Sequence, residues 1–276
     1  MAGGDPMFDE ISKRGLVLLG CGKMGSAMLA GWLQRGLAAS SVWVLDPKPS
    51  DWLQGLDGLH LNEDLPANPA IVLVAVKPQM MGAALPALKA LGDGTTLFVS
   101  VAAGTPIKAF EAALGARTPI IRAMPNTPAA IGRGITALIG NGKSSKEHMS
   151  LAEALLSAVG QTVRLDIEEQ MDAVTALSGS GPAYVFHLIE TMAAAGVAEG
   201  LPAELAMKLA KATVGGAGAL AEQSDEDPGQ LRINVTSPQG TTAAALEVLM
   251  DPDNGFPELL RRGIAAAANR SRELAG

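Results

Sequence analysis

The sequence predicts a doubly wound α/β domain built on a parallel sheet, followed by an all-helical domain. Short apolar runs alternate with helical stretches from Leu16 to about Leu165. Several of these runs are bounded by Gly or Pro and are too short for helices, so they are typical of buried parallel strands. After about Glu168 the strand pattern stops, and the remaining stretches are helical and rich in Ala, Gly and Leu. A chain of 276 residues is long enough for two such domains.

The α/β domain is predicted at residues 15–167, after a flexible extension at residues 1–14 that carries acidic residues and no long apolar run. In chain order, the pattern predicts a strand at Leu16–Leu19, a helix from about Gly25 to Arg35, strands at Val42–Leu45 and Ile71–Val76, a helix after Met80, and strands at Leu97–Val99 and Ile120–Arg122. Two later apolar pieces, Ile135–Ile139 and Thr162–Leu165, flank a helix from about Lys146 to Val159. We expect these two pieces to extend the same sheet.

The all-helical domain is predicted at residues 168–276, with the boundary in the polar linker Asp166–Glu169. The predicted helices are Pro182–Gly200, Pro202–Gln223, Gly240–Met250 and Pro257–Leu274. A proline suits the first position of a helix, because the N–H that it lacks has no partner there. Many positions are apolar on more than one helix face, and such helices are usually buried. We therefore expect this domain to pack against a second copy of the chain.

The composition excludes several classes of partner. The formal net charge of -7 repels phosphate backbones and anionic lipid, so neither nucleic acid nor a membrane surface is an expected partner. The apolar runs are too short to cross a membrane. A single cysteine, Cys21, excludes an intramolecular disulfide, and the widely separated histidines lack the spacing of metal ligands. These features predict a cytoplasmic protein without a metal site.

The strand Leu16–Leu19 runs into a glycine loop of the pattern G-x-G-x-x-G that opens a helix. The loop consists of Gly20, Cys21, Gly22, Lys23, Met24 and Gly25. Glycines at its first two fixed positions let the backbone turn and approach a pyrophosphate, whose charge is met by N–H groups at the helix N-terminus. Because an acidic residue, Asp46, follows at a second strand end about 20 residues later, we predict a Rossmann-type dinucleotide site. A glycine-rich turn that binds nothing is the alternative.

Two residues after the second strand point to different cofactors. Asp46 is placed to accept hydrogen bonds from an adenosine ribose, which favours NADH. Lys48 lies in the turn Pro47-Lys48-Pro49 and is placed to pair with a 2′-phosphate, which favours NADPH. An ordinary solvated lysine is the alternative for this position. The cofactor preference therefore stays open at this level.

Further segments lie where ligands bind in open α/β sheets, at the carboxyl ends of strands. Ala75-Val76-Lys77-Pro78 and Val101-Ala102-Ala103-Gly104 each end a strand, and Met124–Pro128 follows a third. Lys77 is either a cofactor contact or a surface charge at a helix start. The small residues 101–104 either let a flat ring lie against the backbone or serve close helix–strand packing. We expect these segments to line one crevice.

The helical half offers a candidate anion site before one of its helices. In Ser237-Pro238-Gln239-Gly240-Thr241-Thr242, successive backbone N–H groups and two hydroxyls form a cradle suited to a carboxylate. A helix cap without a ligand is the alternative. The small-residue loop Ser178–Pro182 also caps a helix.

Together these segments resemble the pyrroline-5-carboxylate reductase family from about Leu16 to Leu274. The motifs that carry the resemblance are GCGKMG, AVKP, VAAG, IRAMPNTP, LSGSGPAY, DPGQLRINVTSPQGTT and GFPELL, in the order of the family. The resemblance implies reduction of 1-pyrroline-5-carboxylate to L-proline with NADPH or NADH, by hydride transfer to the imine carbon in the last step of proline biosynthesis. It also implies homodimers that form through the helical domain and assemble further into decamers.

The resemblance also implies a set of site residues. The cofactor residues carry over to the Gly20–Gly25 loop and to Lys48, Asn62, Ala75, Val76, Lys77, Pro78, Val101, Ala102, Ala103 and Asn234. The substrate carboxylate is expected on the backbone of Gly240, Thr241 and Thr242, with the Thr242 hydroxyl bonded to the ring nitrogen as the catalytic contact. An acidic residue near the substrate corresponds to Asp225 or Glu226.

Three positions depart from the family pattern. Gln239 stands in SPQGTT where the family usually has glycine, and Asp227 replaces the histidine of a His-Pro-Gly turn. Ile233 stands where an aspartate usually precedes Asn-Val. These departures leave the acidic contact open, although they do not change the expected reaction class.

Two other functions are compatible with the glycine loop. A dehydrogenase of another cyclic imine or of a β-hydroxy acid would keep the loop and lose selectivity at Thr242. A cofactor-sensing protein would bind nucleotide without turnover. No catalytic triad or carboxylate pair can be assembled from local spacing, but hydride transfer needs none, because the cofactor supplies that chemistry.

Overall fold

The computed structural model describes residues 8–275 of the chain. The chain forms two compact units. The first ends at Gly179 and also includes the chain from Ala268 onward, and the second is Ser180–Ala267. The boundary predicted from the sequence lies earlier, between residues 167 and 168. Residues of the predicted helical domain therefore belong to the first unit at both of its ends.

The first unit contains an eight-stranded sheet in the order β3-β2-β1-β4-β5-β6-β7-β8. Its strands are β1 (Leu16–Leu19), β2 (Val42–Leu45), β3 (His60–Leu61), β4 (Ile71–Val74), β5 (Leu97–Ser100), β6 (Ile120–Met124), β7 (Gly134–Gly140) and β8 (Gly160–Arg164). Neighbouring strands are parallel except β6 and β7, which pair antiparallel. The predicted α/β class is confirmed, with one antiparallel pair in a mostly parallel sheet.

Helices cover both faces of this sheet. They are α1 (Asp9–Arg14), α2 (Lys23–Gln34), α3 (Asp51–Gln54), α4 (Met81–Ala84), α5 (Ile107–Leu114), α6 (Lys146–Leu156) and α7 (Gln170–Val174), with a π-helical turn at Thr175–Gly179 after the last. One apolar cluster packs α2 and α6 against the sheet around the fully buried Trp32, whose indole N–H donates to the Leu155 carbonyl at 2.9 Å. The other cluster packs α5 against the opposite face around Phe98 and Phe110. Strand burial on both faces explains the continuous apolar runs.

The structure corrects the predicted flexible extension over residues 8–14, whereas residues 1–7 lie outside the described part of the chain. Phe8 and Ile11 are 3% and 0% exposed, and α1 begins between them at Asp9. Two apolar side chains three positions apart lie on one helix face and can join a core. The Arg14 guanidinium then fixes the end of this helix, because it donates to the backbone carbonyls of Asn68 and Pro69 at 3.0 Å.

The second unit is helical, as predicted. Its helices are α8 (Gly181–Ala198), α9 (Ala203–Gln223), α10 (Pro228–Asn234), α11 (Thr241–Leu249) and α12 (Phe256–Ala275), of which the last continues into the first unit. The helices α8 and α9 pack against each other through small residues, and Ala193, Ala206 and Ala210 are buried. Between residues 8 and 275, no helix combines the length and the hydropathy needed to span a bilayer.

Candidate active site

The glycine loop follows β1 and needs glycine for two physical reasons. Gly20 has φ of +85°, and a Cβ there would lie 2.8 Å from Cγ1 of Val76. A Cβ at Gly25 would lie 2.7 Å from the Gly20 carbonyl oxygen. Gly22 differs, because it is exposed, caps the N-terminus of α2, and leaves its Cβ position without any atom within 4 Å. The loop is thus packed tightly at both ends and open at the middle glycine.

Cys21 occupies the position between the first two glycines and is 4% exposed. Burial raises the pKa of its thiol above the usual value. Its sulfur lies 3.5 Å from the Ser26 hydroxyl, which donates to the Cys21 carbonyl at 2.9 Å. Cys21 is therefore a protonated, packed residue at neutral pH. The Lys23 side chain, in contrast, is exposed.

Asp46 follows β2, and both of its carboxylate oxygens accept hydrogen bonds from the backbone. The Cys21 N–H donates to Oδ2 at 2.8 Å, and the Lys48 N–H donates to Oδ1 at 2.8 Å. The carboxylate therefore joins the glycine loop to the loop after β2. The Lys48 side chain is exposed beside it.

Asn62 follows the two-residue strand β3 and has φ of +54°. Its side-chain oxygen accepts from the Asp46 N–H at 2.9 Å, and its side-chain amide donates to the Asp46 carbonyl at 2.9 Å. The Asn62 amide thus holds the Asp46 backbone through both its oxygen and its nitrogen. The strand β3 was not predicted from the sequence, because two residues are too few to produce a pattern.

The ends of β4 and β5 lie beside the end of β1, because these three strands are neighbours. The Ala75 N–H donates to the Leu19 carbonyl at 2.8 Å, and the Val101 N–H donates to the Val74 carbonyl at 3.0 Å. The segments Ala75–Pro78 and Val101–Ala103 therefore share one edge of the sheet with the glycine loop. Strand order reverses between β1 and β4, and ligands of open α/β sheets bind outside such a point.

A buried ion pair near this edge was missed by sequence reasoning. The Arg122 side chain in β6 is 6% exposed and donates from Nη1 to Oε1 of Glu168 at 2.8 Å. The same oxygen accepts the Ile107 N–H at the start of α5 at 2.9 Å. A basic residue inside an otherwise apolar strand was the available signal. Its partner lies far along the chain, so spacing could not identify it.

The loop after β6 is held by Asn126. Its side-chain oxygen accepts the Ile135 N–H at 3.0 Å, and its amide donates to the Ser178 carbonyl at 3.3 Å. The side chain thus links this loop to β7 and to the π-helical turn. Asn126 is a structural bridge in this arrangement.

In the second unit, the predicted anion cradle is the N-terminus of α11. Gly240 is the N-cap with an extended backbone, and it contributes no side-chain acceptor to the first-turn N–H groups. Thr241 is exposed and Thr242 is half-buried at the first two helical positions. The preceding Gln239 has φ of +59°, a left-handed conformation that favours glycine. The usual glycine of the family at this position thus has a conformational reason.

The acidic segment before α10 lies close to Asn234. The Asn234 amide donates to Oε2 of Glu226 at 3.0 Å, and its oxygen accepts from the Gln230 amide at 2.8 Å. The structure therefore brings together two predicted site residues, one assigned to the cofactor and one to the substrate. Asp225 is exposed.

The departures around α10 have a local explanation at one position. Asp227 caps α10 and accepts the Gly229 N–H through Oδ1 at 2.7 Å. Aspartate is a preferred N-cap residue. N-capping of α10 therefore explains why aspartate is accepted where the family usually has histidine. Ile233 is 57% exposed, and nothing in the unit explains its choice.

Family models match both parts of the chain. A model described as pyrroline-5-carboxylate reductase dimerisation matches residues 168–274, and one described as NADP oxidoreductase, coenzyme F420-dependent, matches residues 15–104. The chain is 39% identical over 265 residues to pyrroline-5-carboxylate reductase of Pseudomonas aeruginosa, which covers 94% of this chain and 96% of that protein. It is also 39% identical to the enzyme of the same name from Pisum sativum, with 94% and 95% covered.

Solved structures are similar over nearly the whole chain. A pyrroline-5-carboxylate reductase from Coxiella burnetii superposes with a TM-score of 0.89 and 33% identity, covering 95% of this chain and 99% of that chain. The structure of Plasmodium falciparum pyrroline carboxylate reductase with NADP bound gives a TM-score of 0.82 and 28% identity, with 95% and 98% covered.

Proposed function

This chain belongs to the pyrroline-5-carboxylate reductase family, and on that premise we propose the roles of its residues in the reaction. It is an oxidoreductase that uses NADP(H) to reduce 1-pyrroline-5-carboxylate to L-proline. The observation that carries the residue assignment is the glycine N-cap shared by two helices, Gly22 of α2 and Gly240 of α11. Each offers backbone N–H groups to an anion, and the reaction requires two anionic ligands.

The residues of the first unit fit a dinucleotide. The open space at Gly22 lets a pyrophosphate approach the N–H groups of α2, whereas any side chain at that position would occupy this space. We assign the Gly20–Gly25 loop to the pyrophosphate, Lys48 and Asn62 to the adenosine side, and Ala75–Pro78 and Val101–Ala103 to the nicotinamide side. We also assign Asn234 to the cofactor. When bound, the reduced nicotinamide supplies the hydride. NADH is proposed as a second, weaker cofactor.

The substrate carboxylate is assigned to Gly240, Thr241 and Thr242. The N-terminus of α11 stabilises an anion, and fixing the carboxylate there orients the imine ring. The Thr242 hydroxyl then hydrogen-bonds the ring nitrogen. A hydroxyl is a poor acid near neutral pH, so Thr242 orients the ring or passes on a proton from water. Positive charge on the protonated imine makes its carbon a better hydride acceptor.

Asp225 and Glu226 are the candidates for the acidic contact to the substrate. Both side chains are exposed, and Glu226 accepts a hydrogen bond from the Asn234 amide. A carboxylate near the ring nitrogen favours the protonated imine by opposite charge. We therefore propose that this segment supports protonation of the imine.

Replacement of Thr242 tests this assignment. We expect Thr242→Ala to lower kcat by about tenfold or more, because one positioned hydrogen bond to the reacting group is worth about 1.5–3 kcal/mol. The KM for NADPH should stay unchanged. Thr242→Ser keeps the hydroxyl and is the matched control, so it should retain most of the turnover. An unchanged kcat for Thr242→Ala in a steady-state assay contradicts the role.

The chain is a homo-oligomer, and we propose that its unit is a dimer formed through the second unit, with a decamer as the larger assembly. Large apolar side chains on these helices support this, since Phe186 is 59% exposed and Leu209 is 49% exposed in a single chain. Light scattering should give at least twice the 28.2 kDa chain mass. A stable monomer at micromolar concentration contradicts the proposal.

We also propose a cytoplasmic location and no nucleic-acid partner. The formal net charge of -7 supports the second statement, because a protein of that charge repels phosphate backbones. Fractionation of cells that express the tagged chain tests the first. A mobility-shift titration with duplex DNA and single-stranded RNA tests the second, and binding at physiological salt contradicts it.

A further inference from the structure

We propose that Asp46 is a positioning residue that holds the glycine loop for NADPH and NADH alike, and that it does not read the adenosine ribose. This inference rests on the proposed function, since it takes the glycine loop as the nucleotide site. Asp46 is the residue for which the sequence pattern predicts a contact with the adenosine ribose.

The Asp46 carboxylate joins two loops. The two oxygens of Asp46 accept N–H groups from two different loops, one from Cys21 and one from Lys48, each at 2.8 Å. Hydrogen bonds to an ionised acceptor are short and about twice as strong as neutral ones. The carboxylate is therefore a cross-link between the loops before any ligand arrives.

The backbone of Asp46 is fixed as well. Its N–H and its carbonyl are both bonded to the Asn62 side chain at 2.9 Å, and the preceding Leu45 carbonyl accepts the Gly20 N–H at 2.8 Å. Rotation of the Asp46 side chain toward a ribose would break two backbone contacts. Satisfied polar networks of this kind are rigid. The arrangement thus favours a fixed carboxylate over one that changes partners.

The contact with Cys21 sets the shape of the loop. Cys21 stands between Gly20, at φ of +85°, and Gly22, which caps α2. Glycine on both sides allows this peptide many conformations, and the bond from its N–H to Asp46 acts with the bond from Ser26 to the Cys21 carbonyl to restrict them. The loop is then preorganised for a pyrophosphate, which both cofactors contain in the same form. Replacement of Asp46 should therefore weaken the binding of NADPH and of NADH by the same factor.

Lys48 is the residue with a reason to distinguish them. Its backbone N–H is held by Asp46, whereas its side chain is exposed two residues beyond the carboxylate. Only NADPH carries a 2′-phosphate, and a lysine attracts that extra charge. The attraction is that of an exposed pair, so it should weaken with added salt.

The test measures cofactor binding without substrate, by titrating NADPH or NADH fluorescence with the purified chain and its variants. We expect Asp46→Asn and Asp46→Ala to raise the Kd of both cofactors by about the same factor, on the order of tenfold. The kcat at saturating cofactor should change little. Lys48→Ala should raise the Kd for NADPH alone, with an effect that shrinks as salt is added.

Two outcomes overturn the inference. If Asp46→Ala weakens the binding of NADH and strengthens the binding of NADPH, Asp46 contacts the ribose. If Asp46→Asn leaves both Kd values unchanged in a folded protein, Asp46 does not position the loop. Far-UV circular dichroism and the thermal midpoint identify a misfolded variant, and the near-isosteric Asn variant answers the question if the Ala variant fails to fold. Failure of the proposed function is seen separately, as absent turnover of pyrroline-5-carboxylate by the unchanged chain.

Discussion

Replacing Glu168 by Gln removes the counter-charge of a buried guanidinium. Arg122 is 6% exposed in its side chain, Glu168 is 29% exposed, and their atoms are 2.8 Å apart. Breaking a buried ion pair costs about 3–5 kcal/mol, and because Glu168 retains some solvent we expect about 3 kcal/mol. Gln keeps an oxygen that can still accept the Ile107 N–H, so the loss reports the charge.

This loss should be visible as a thermal shift. For a domain of this size each kcal/mol lowers the midpoint by about 2–4 °C, which gives a fall of roughly 6–12 °C. The assay is a melt followed by circular dichroism at pH 7 and one fixed protein concentration, because ligand and subunit binding also move the midpoint. Adding Arg122→Met removes the uncompensated charge, so the double variant should recover part of the loss.

A second ion pair in the same unit is the matched control. Arg164 and Glu153 form two hydrogen bonds of 2.6 Å, but the Arg164 side chain is 52% exposed. Surface pairs contribute little even when their geometry is good. Glu153→Gln should therefore barely move the midpoint. Equal shifts for Glu153→Gln and Glu168→Gln would refute the reasoning from burial.

Two other replacements have expected outcomes. Burial holds the pKa of His148 below its usual value, while its ring accepts the Ser145 N–H, so the fold favours the neutral ring. This contribution to the free energy of unfolding is complete above the unfolded pKa of about 6.5 and is lost as pH falls from there through the folded pKa. In urea melts, the free energy of unfolding should therefore fall less between pH 7.5 and pH 5.5 in His148→Gln than in the unchanged chain. An equal fall in both proteins contradicts this role. Gln239 adopts a left-handed backbone conformation that costs a non-glycine residue about 1 kcal/mol. Gln239→Gly should remove this cost and raise the thermal unfolding midpoint by about 2–4 °C. A lower midpoint contradicts backbone strain at this position.

The fold was predictable where one strand buries both faces. Leu16–Leu19 is apolar and buried throughout, and its observed bounds are those predicted. The strand β3 was not predicted because it has only two residues. It is held by tertiary contacts, among them the stacking of the His60 and Trp43 rings, whose centroids are 4.2 Å apart. The antiparallel pairing of β6 and β7 was also missed, since strand direction leaves no trace in an apolar run.

The candidate site shows the same division. The glycine loop has a local pattern, so Gly20, Gly22 and Gly25 were found from spacing. The contacts of Asp46 with Cys21 and Asn62 join separate segments, and they depend on strand order, which the sequence pattern does not contain. Arg122 and Glu168 were both visible as residues, but their pairing joins positions 46 residues apart.

The second unit buries few large side chains within a single chain, which in the proposed dimer makes its folding an event between chains. Neither apolar core cluster includes a residue from Ser180–Ala267, and the buried side chains of α8 and α9 are alanines. In the dimer proposed above, the partner subunit supplies the missing core, so the unit's stability should depend on protein concentration. Two preformed oligomers of different variants should then exchange chains slowly, because a chain must unfold this unit to leave. Mixed oligomers should form readily only when both variants are synthesised together.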